Sequence, residues 1–147
     1  MSAIICAIRG GSKSQATIQK AIKVAKEFEL PVIFLYVIDV DFLVHTSLSR
    51  VHPISEELQE MGEFILLMAR DKAEAQDVQS SHFVRHGDVR EEILRLCREC
   101  DARYIVLGRP RLRKERSVFS VDRLERFKKQ ISQACDAELL VSSEEAT

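Results

Sequence analysis

Short, nearly all-apolar runs recur along this chain, and segments with helical spacing separate them. Ser2–Ile8 (SAIICAI), Val32–Ile38 (VIFLYVI) and Tyr104–Leu107 (YIVL) carry almost no polar residue, which is the pattern of strands covered on both faces. A strand buried on both sides needs a helix on each side, and alternation of strand and helix implies a parallel sheet with right-handed crossovers. The first run stops at Arg9-Gly10-Gly11-Ser12, a turn signal. Lys13–Leu30 then places Ile18, Ala21, Ile22, Val24, Ala25 and Phe28 on one helical face, with Ser12 or Ser14 available as a cap.

The alternation continues to the end of the chain. Asp39–Pro53 reads as a loop, and Ser55 as the N-cap of a long helix over Glu56–Gln76. Its inward stripe is expected to hold Leu58, Met61, Ile65, Met68 and Ala69. Val78–His86 reads as a less apolar strand ended by Gly87. Val89–Asp101 reads as a helix with Val89, Ile93, Leu96, Cys97 and Cys100 on one face. Gly108 ends the fourth strand. Arg109–Arg116 is a basic loop, Val121–Cys135 a helix and Glu138–Val141 a last strand. The expected fold is therefore α/β, an open, doubly wound, five-stranded parallel sheet with four helices, in one domain over residues 1–147.

Composition narrows the function classes. Apolar residues make up 46% and charged residues 31%, and no apolar run is long enough for a membrane span. The N-terminus lacks the pattern of a signal peptide. A net charge of −1 does not advertise nucleic-acid or membrane binding by the whole molecule. Cys6, Cys97, Cys100 and Cys135 sit among core-forming material, so a disulfide scaffold is not expected and the compartment reads as reducing and cytoplasmic.

In an open parallel sheet, ligands bind beyond the carboxyl ends of the strands. That edge holds Arg9-Gly10-Gly11, Val37-Ile38-Asp39 and the loop after Gly108. From Arg109 to Lys129 nine basic residues face three acidic ones, a local balance of +6. Arginine forks there can grip phosphate or carboxylate. The plainer alternative is a solvated basic face balanced by Glu56, Glu57, Glu60 and Glu63. Only Phe119 and Phe127 are interleaved for base stacking, which argues against nucleic acid.

The remaining reactive residues suggest little catalysis. Cys97-Arg98-Glu99-Cys100 lies near a helix C-terminus, where the dipole does not activate a thiol. Packing is the simpler role for Cys97, with oxidation of an exposed Cys100 as the alternative. His45, His52, His82 and His86 form no metal pattern, and Glu91-Glu92 suit the start of a helix.

The Gly-Ser turn after the first strand, FLYVID at Phe34–Asp39 and HGDVREEILRLCRECDARYIVLG at His86–Gly108 together resemble the universal stress protein family over nearly the whole chain. The resemblance implies a Rossmann-like sheet of order 3-2-1-4-5, related to the adenine-nucleotide α-hydrolases. It also implies a homodimer through the last strand, here Glu138–Val141. In ATP-binding members an Asp follows strand one, a Val of strand two meets adenine, and a glycine-rich loop after strand four holds phosphate. Val37 matches that Val and Gly108 the first loop glycine. Arg9 stands in place of the Asp, Arg111 in place of the second loop glycine, and no glycine follows Gly108. The expected ligand cleft is thus Arg9, Gly10, Val37, Gly108, Arg109 and Arg111. ATP or AMP would not be held by the usual phosphate loop, because such a loop needs backbone N–H groups close to the anion. The resulting expectation is a non-catalytic stress-response or regulatory domain acting through a protein partner. The alternatives are a sensor of a nucleotide or other small anion and, behind it, a nucleotide hydrolase or thiol redox protein.

Overall fold

The computed structural model describes residues 2–8, 14–38, 51–108 and 121–142. The elements run β1 (Ala3–Ile8), α1 (Ser14–Phe28), β2 (Val32–Ile38), α2 (Val51–Ala75), β3 (Ser80–His86), α3 (Val89–Cys100), β4 (Ala102–Gly108), α4 (Val121–Cys135) and β5 (Glu138–Ser142). The five strands form one sheet of order β3-β2-β1-β4-β5, and every pairing is parallel. This is the doubly wound sheet, in the strand order, that the resemblance implies.

Because successive strand residues face opposite sides, each apolar strand feeds two cores. On one face Ile4, Cys6, Phe34, Tyr36 and Val106 pack under Ile18 and Ile22 of α1 and Leu66 and Ala69 of α2. On the other, Ile5, Leu35, Ile105 and Leu139 meet Ile93, Leu96 and Cys97 of α3 and Phe127 and Ile131 of α4. Each Val, Leu, Ile or Phe among these contributes about 1.5–3 kcal/mol when fully buried.

The described helices end alike. Glu29, Asp77, Asp101 and Asp136, at or just beyond the four C-termini, hold φ between 55° and 60°. Two of these ends close in the same way. Leu30 N–H donates to Ala25 O at 3.1 Å and Val78 N–H to Ala73 O at 2.9 Å. Each is the six-residue closure of a left-handed helix terminus. Asp tolerates that conformation better than most non-glycine residues.

The structure corrects the reading of α2. The helix begins at Val51, so Ser55 lies inside it and does not cap it. Of the expected stripe, Ala69 is buried and Leu58 and Ile65 pack half-buried against the core, whereas Met61 and Met68 are exposed; Gly62, Leu66 and Ala73 complete the buried face. Small residues decided this rotation. Gly62 lets the helix approach Tyr36 so closely that an added Cβ would stand 2.3 Å from the ring. A periodicity count weighted by side-chain size places the larger apolar residues inward and misses such a contact. Phe28 is likewise half-exposed, tilted against Tyr104 with ring centroids 5.1 Å apart.

Candidate functional site at the carboxyl edge of the sheet

The strand order reverses direction between β1 and β4, so the crevice of this fold opens above Ile8 and Gly108. Gly108 is the last residue of β4 and pairs with Ser142 of β5. A Cβ built on it would lie 3.1 Å from Thr17 Oγ1 in α1. The first turn of α1 therefore crosses close over the end of β4, with Ser14 and Thr17 both buried. Deeper in, the Cys6 thiol donates to Thr17 O at 3.8 Å, and complete burial pushes that thiol's pKa far up.

Val37 lies one residue before the end of β2, in register with Arg85 of β3, and packs half-buried into the α3–α4 layer. Gly108 lies two residues after Val106 and so shares its face, toward the α1–α2 layer. The structure thus brings Val37 and Gly108 to one sheet edge, facing opposite layers. Of the other expected cleft residues, Arg9, Gly10, Arg109 and Arg111 lie outside the described residues, as do the loop Arg109–Arg116, Phe119 and His45.

Sequence reading missed a charged cluster beside Val37. Glu92, in the first turn of α3, is buried and faces Arg95 Nη1 at 3.1 Å and Arg85 Nη1 at 3.8 Å. Arg85 also donates to Glu99 Oε1 at 2.9 Å and lies over the Phe83 ring at 5.3 Å. The hydrogen bond to Glu99 raises the Arg85 pKa, and the same bond lowers that of Glu99. Gly87, at φ 142°, turns the chain so that Glu92 fits beneath it, and Gly87 N–H donates to Ile38 O at 2.9 Å. The cluster locks β3 and α3 against the end of β2. Glu92, Arg95 and Glu99 share one helical face, and an arginine in a strand pairs with them. That was the available signal, whereas Glu91-Glu92 had been read only as helix-dipole acids.

The cysteines require a second correction. No disulfide was expected, yet Cys97 of α3 is bonded to Cys135 of α4, with Cα atoms 6.3 Å apart. Both sit where the two helices pack over the sheet, a proximity that 38 residues of separation hide from sequence reading. Cys100 is free and half-buried, and burial raises its pKa. An unactivated thiol is what the end of a helix predicts. Among the described residues no group of three His, Cys, Asp or Glu could hold a metal ion, and no helix is long and apolar enough to cross a membrane.

The fold and its crevice define a doubly wound α/β domain with an open, all-parallel sheet. The profile of the universal stress protein family matches residues 1–124, and the chain belongs to that family. Among solved structures, the universal stress protein UspA from Lactobacillus plantarum superposes with a TM-score of 0.72 at 14% identity, covering 96% of this chain and 97% of that one. A universal stress protein solved in complex with cAMP gives a TM-score of 0.66 at 16% identity, covering 95% of each chain. The protein from Archaeoglobus fulgidus in complex with dAMP gives 0.65 at 12% identity, covering 97% of this chain and 98% of that one. No curated protein matches this chain.

Proposed function

We propose that this chain is a non-catalytic universal stress protein domain that acts in stress response or regulation as a homodimer, through a protein partner, without the family's glycine phosphate loop. The observation that carries this reading is the environment of Gly108. A Cβ there would press on Thr17 Oγ1 of α1 at 3.1 Å, so close helix packing favours glycine at this position. Helix packing thus gives the one glycine retained from the loop a role that is independent of phosphate. No glycine follows it, and Arg111 occupies the position of the second. The residues present therefore do not fit a backbone cradle for ATP. The dimer is supported by β5, a sheet-edge strand carrying Leu139, Leu140 and Val141.

A second reading rests on a different observation. Relatives of the same fold were solved with cAMP and dAMP, and this chain places a +6 segment immediately after Gly108. Arg9, Arg109 and Arg111 would then bind a nucleotide or other small anion with side chains in place of backbone amides. A thermal-shift series with ATP, ADP, AMP, cyclic nucleotides, phosphate and sulfate, at low and physiological salt, separates the two. The first reading expects no shift, or a shift with every anion that fades with salt. A shift specific to adenine nucleotides that survives salt overturns it and selects the sensor.

A further inference from the structure

We propose that the outer face of α2 is a docking surface for a cationic amphipathic helix of a protein partner. The proposal rests on the reading above only for the premise that the domain acts through another protein. Its observations lie on a different part of the molecule. Phe64, Met61 and Leu67 are 64%, 55% and 52% exposed, and Met68 lies beside them at 38%. Met61, Phe64 and Met68 are spaced i, i+3, i+7, so with Leu67 they form a continuous stripe about 10 Å long. Phe64 projects directly away from the buried face of Gly62, Leu66, Ala69 and Ala73. Four large apolar side chains adjoining on one exposed helix face mark a contact surface.

The surroundings of the stripe select its occupant. Glu57, Glu60, Glu63, Asp71 and Glu74 flank it, all exposed. Of the bases in the same stretch, Lys72 turns away from the stripe and Arg70 is engaged with a neighbouring side chain. Arg70 reaches His82 Nδ1 at 3.2 Å, and Lys72 donates to Gln15. Beyond Leu67 the surface continues into a groove of about 760 Å³ between α2 and the start of β3, where Asp71, Glu74 and Asp77 set three carboxylates against the single guanidinium of Arg70. Such a groove accepts a lysine or arginine side chain next to an apolar contact.

Anionic lipid and nucleic acid are repelled by these carboxylates. A two-fold pairing of α2 with a second copy would set acid against acid. A helix with an apolar stripe and basic flanks satisfies both the stripe and the groove. The surface borders β3, the sheet edge opposite β5, so a partner here leaves β5 free.

The test uses the full chain and three labelled 18-residue synthetic helices, followed by fluorescence anisotropy at physiological salt. One carries leucines at i, i+3, i+4, i+7 and i+11 with lysine elsewhere. The second has the same leucines with glutamate. The third has the lysine-leucine composition in scrambled order. The first should bind, the second should not, and the third should be at least tenfold weaker. Phe64→Ala with Leu67→Ala should weaken the first by tenfold or more. Asp71→Asn with Glu74→Gln should weaken it and flatten its salt dependence. All four positions are exposed, so an unchanged melting curve checks that the variants fold. Equal binding of the scrambled helix, or binding indifferent to Phe64→Ala with Leu67→Ala, overturns the proposal. If that pair instead converts an oligomer to a monomer in sedimentation, the occupant is a second copy, and the proposal fails in favour of self-association. None of these outcomes depends on the nucleotide series, so the two readings fail separately.

Discussion

Gly62→Ala should destabilise this protein, although at an ordinary helix position the same change would stabilise it. Replacing glycine by alanine inside a helix gains about 1 kcal/mol of propensity. Here the new methyl would stand 2.3, 2.6 and 2.9 Å from three atoms of the Tyr36 ring, whereas carbon atoms settle about 3.5–4.0 Å apart. Tyr36 projects from β2 beneath α2 with 7% of its surface exposed, so the ring has little room to turn away. Overpacking of this kind costs typically 1–3 kcal/mol, and an overlap with three ring atoms belongs near the upper end. The net expectation is a loss of about 2 kcal/mol. With a urea m-value of about 2 kcal/mol/M, the midpoint falls by about 1 M. In a Tyr36→Ala background the obstacle is gone, and Gly62→Ala should then raise stability by up to about 1 kcal/mol. The cycle therefore carries an interaction energy of about 3 kcal/mol. Tyr36→Phe, which keeps the ring, should give no rescue. Equal effects of Gly62→Ala in the native and Tyr36→Ala backgrounds would refute the close approach of α2 to β2.

Reducing the Cys97–Cys135 bond, or replacing Cys135 by Ser, should lower stability by roughly 4 kcal/mol on a chain-entropy estimate for 38 residues; urea curves with and without reductant measure it. In the oxidised native protein a thiol reagent should label Cys100 slowly and only toward alkaline pH, and Cys6 only after denaturation. Rapid labelling of Cys6 would contradict its burial beneath α1. Glu99 has its folded pKa below the ordinary 4.5 because Arg85 donates to it. Its contribution is therefore fully present above that value and is lost as pH falls through the lower folded one, so Glu99→Gln should flatten the acid limb of stability against pH. Glu29→Gly should stabilise by about 1 kcal/mol by relieving a left-handed residue, visible as a rise in melting temperature.

Most of the sheet was legible because its strands are covered on both faces. An apolar run such as VIFLYVI has no other comfortable fate, and β1, β2 and β4 stand where such runs predicted them. The α3 face of Ile93, Leu96 and Cys97 was legible for the same reason: large apolar residues at helical spacing have one side to hide on. The rotation of α2 was misread at Met61 and Met68 because Gly62 and Ala73 sit beside Leu66 on the inward face, and their value is the closeness they allow rather than the area they bury. The Glu92–Arg85–Glu99 cluster and the Cys97–Cys135 bond were hidden because each joins residues from different elements, which local spacing cannot pair.

The two faces of α2 also bear on how the domain works. A helix with a large residue in place of Gly62 would sit farther from the sheet. By seating Gly62 on Tyr36, this helix spends its small residues inside and leaves Phe64 and Leu67 outside. Exposed phenylalanine and leucine gain nothing for the isolated fold, since their burial energy is unrealised until something covers them. At the carboxyl edge the reverse has happened. Thr17 fills the space beside Gly108, and ion pairs close the surface beside Val37. In the described part of the molecule, the surface best prepared for a contact lies along α2 and β3, away from the crevice where the fold usually takes its ligand. A domain recognised through that surface, as proposed above, needs no bound nucleotide for the contact. Binding there should therefore be unaltered by saturating ATP, and a several-fold change in peptide affinity on adding ATP would show that crevice and helix are coupled after all.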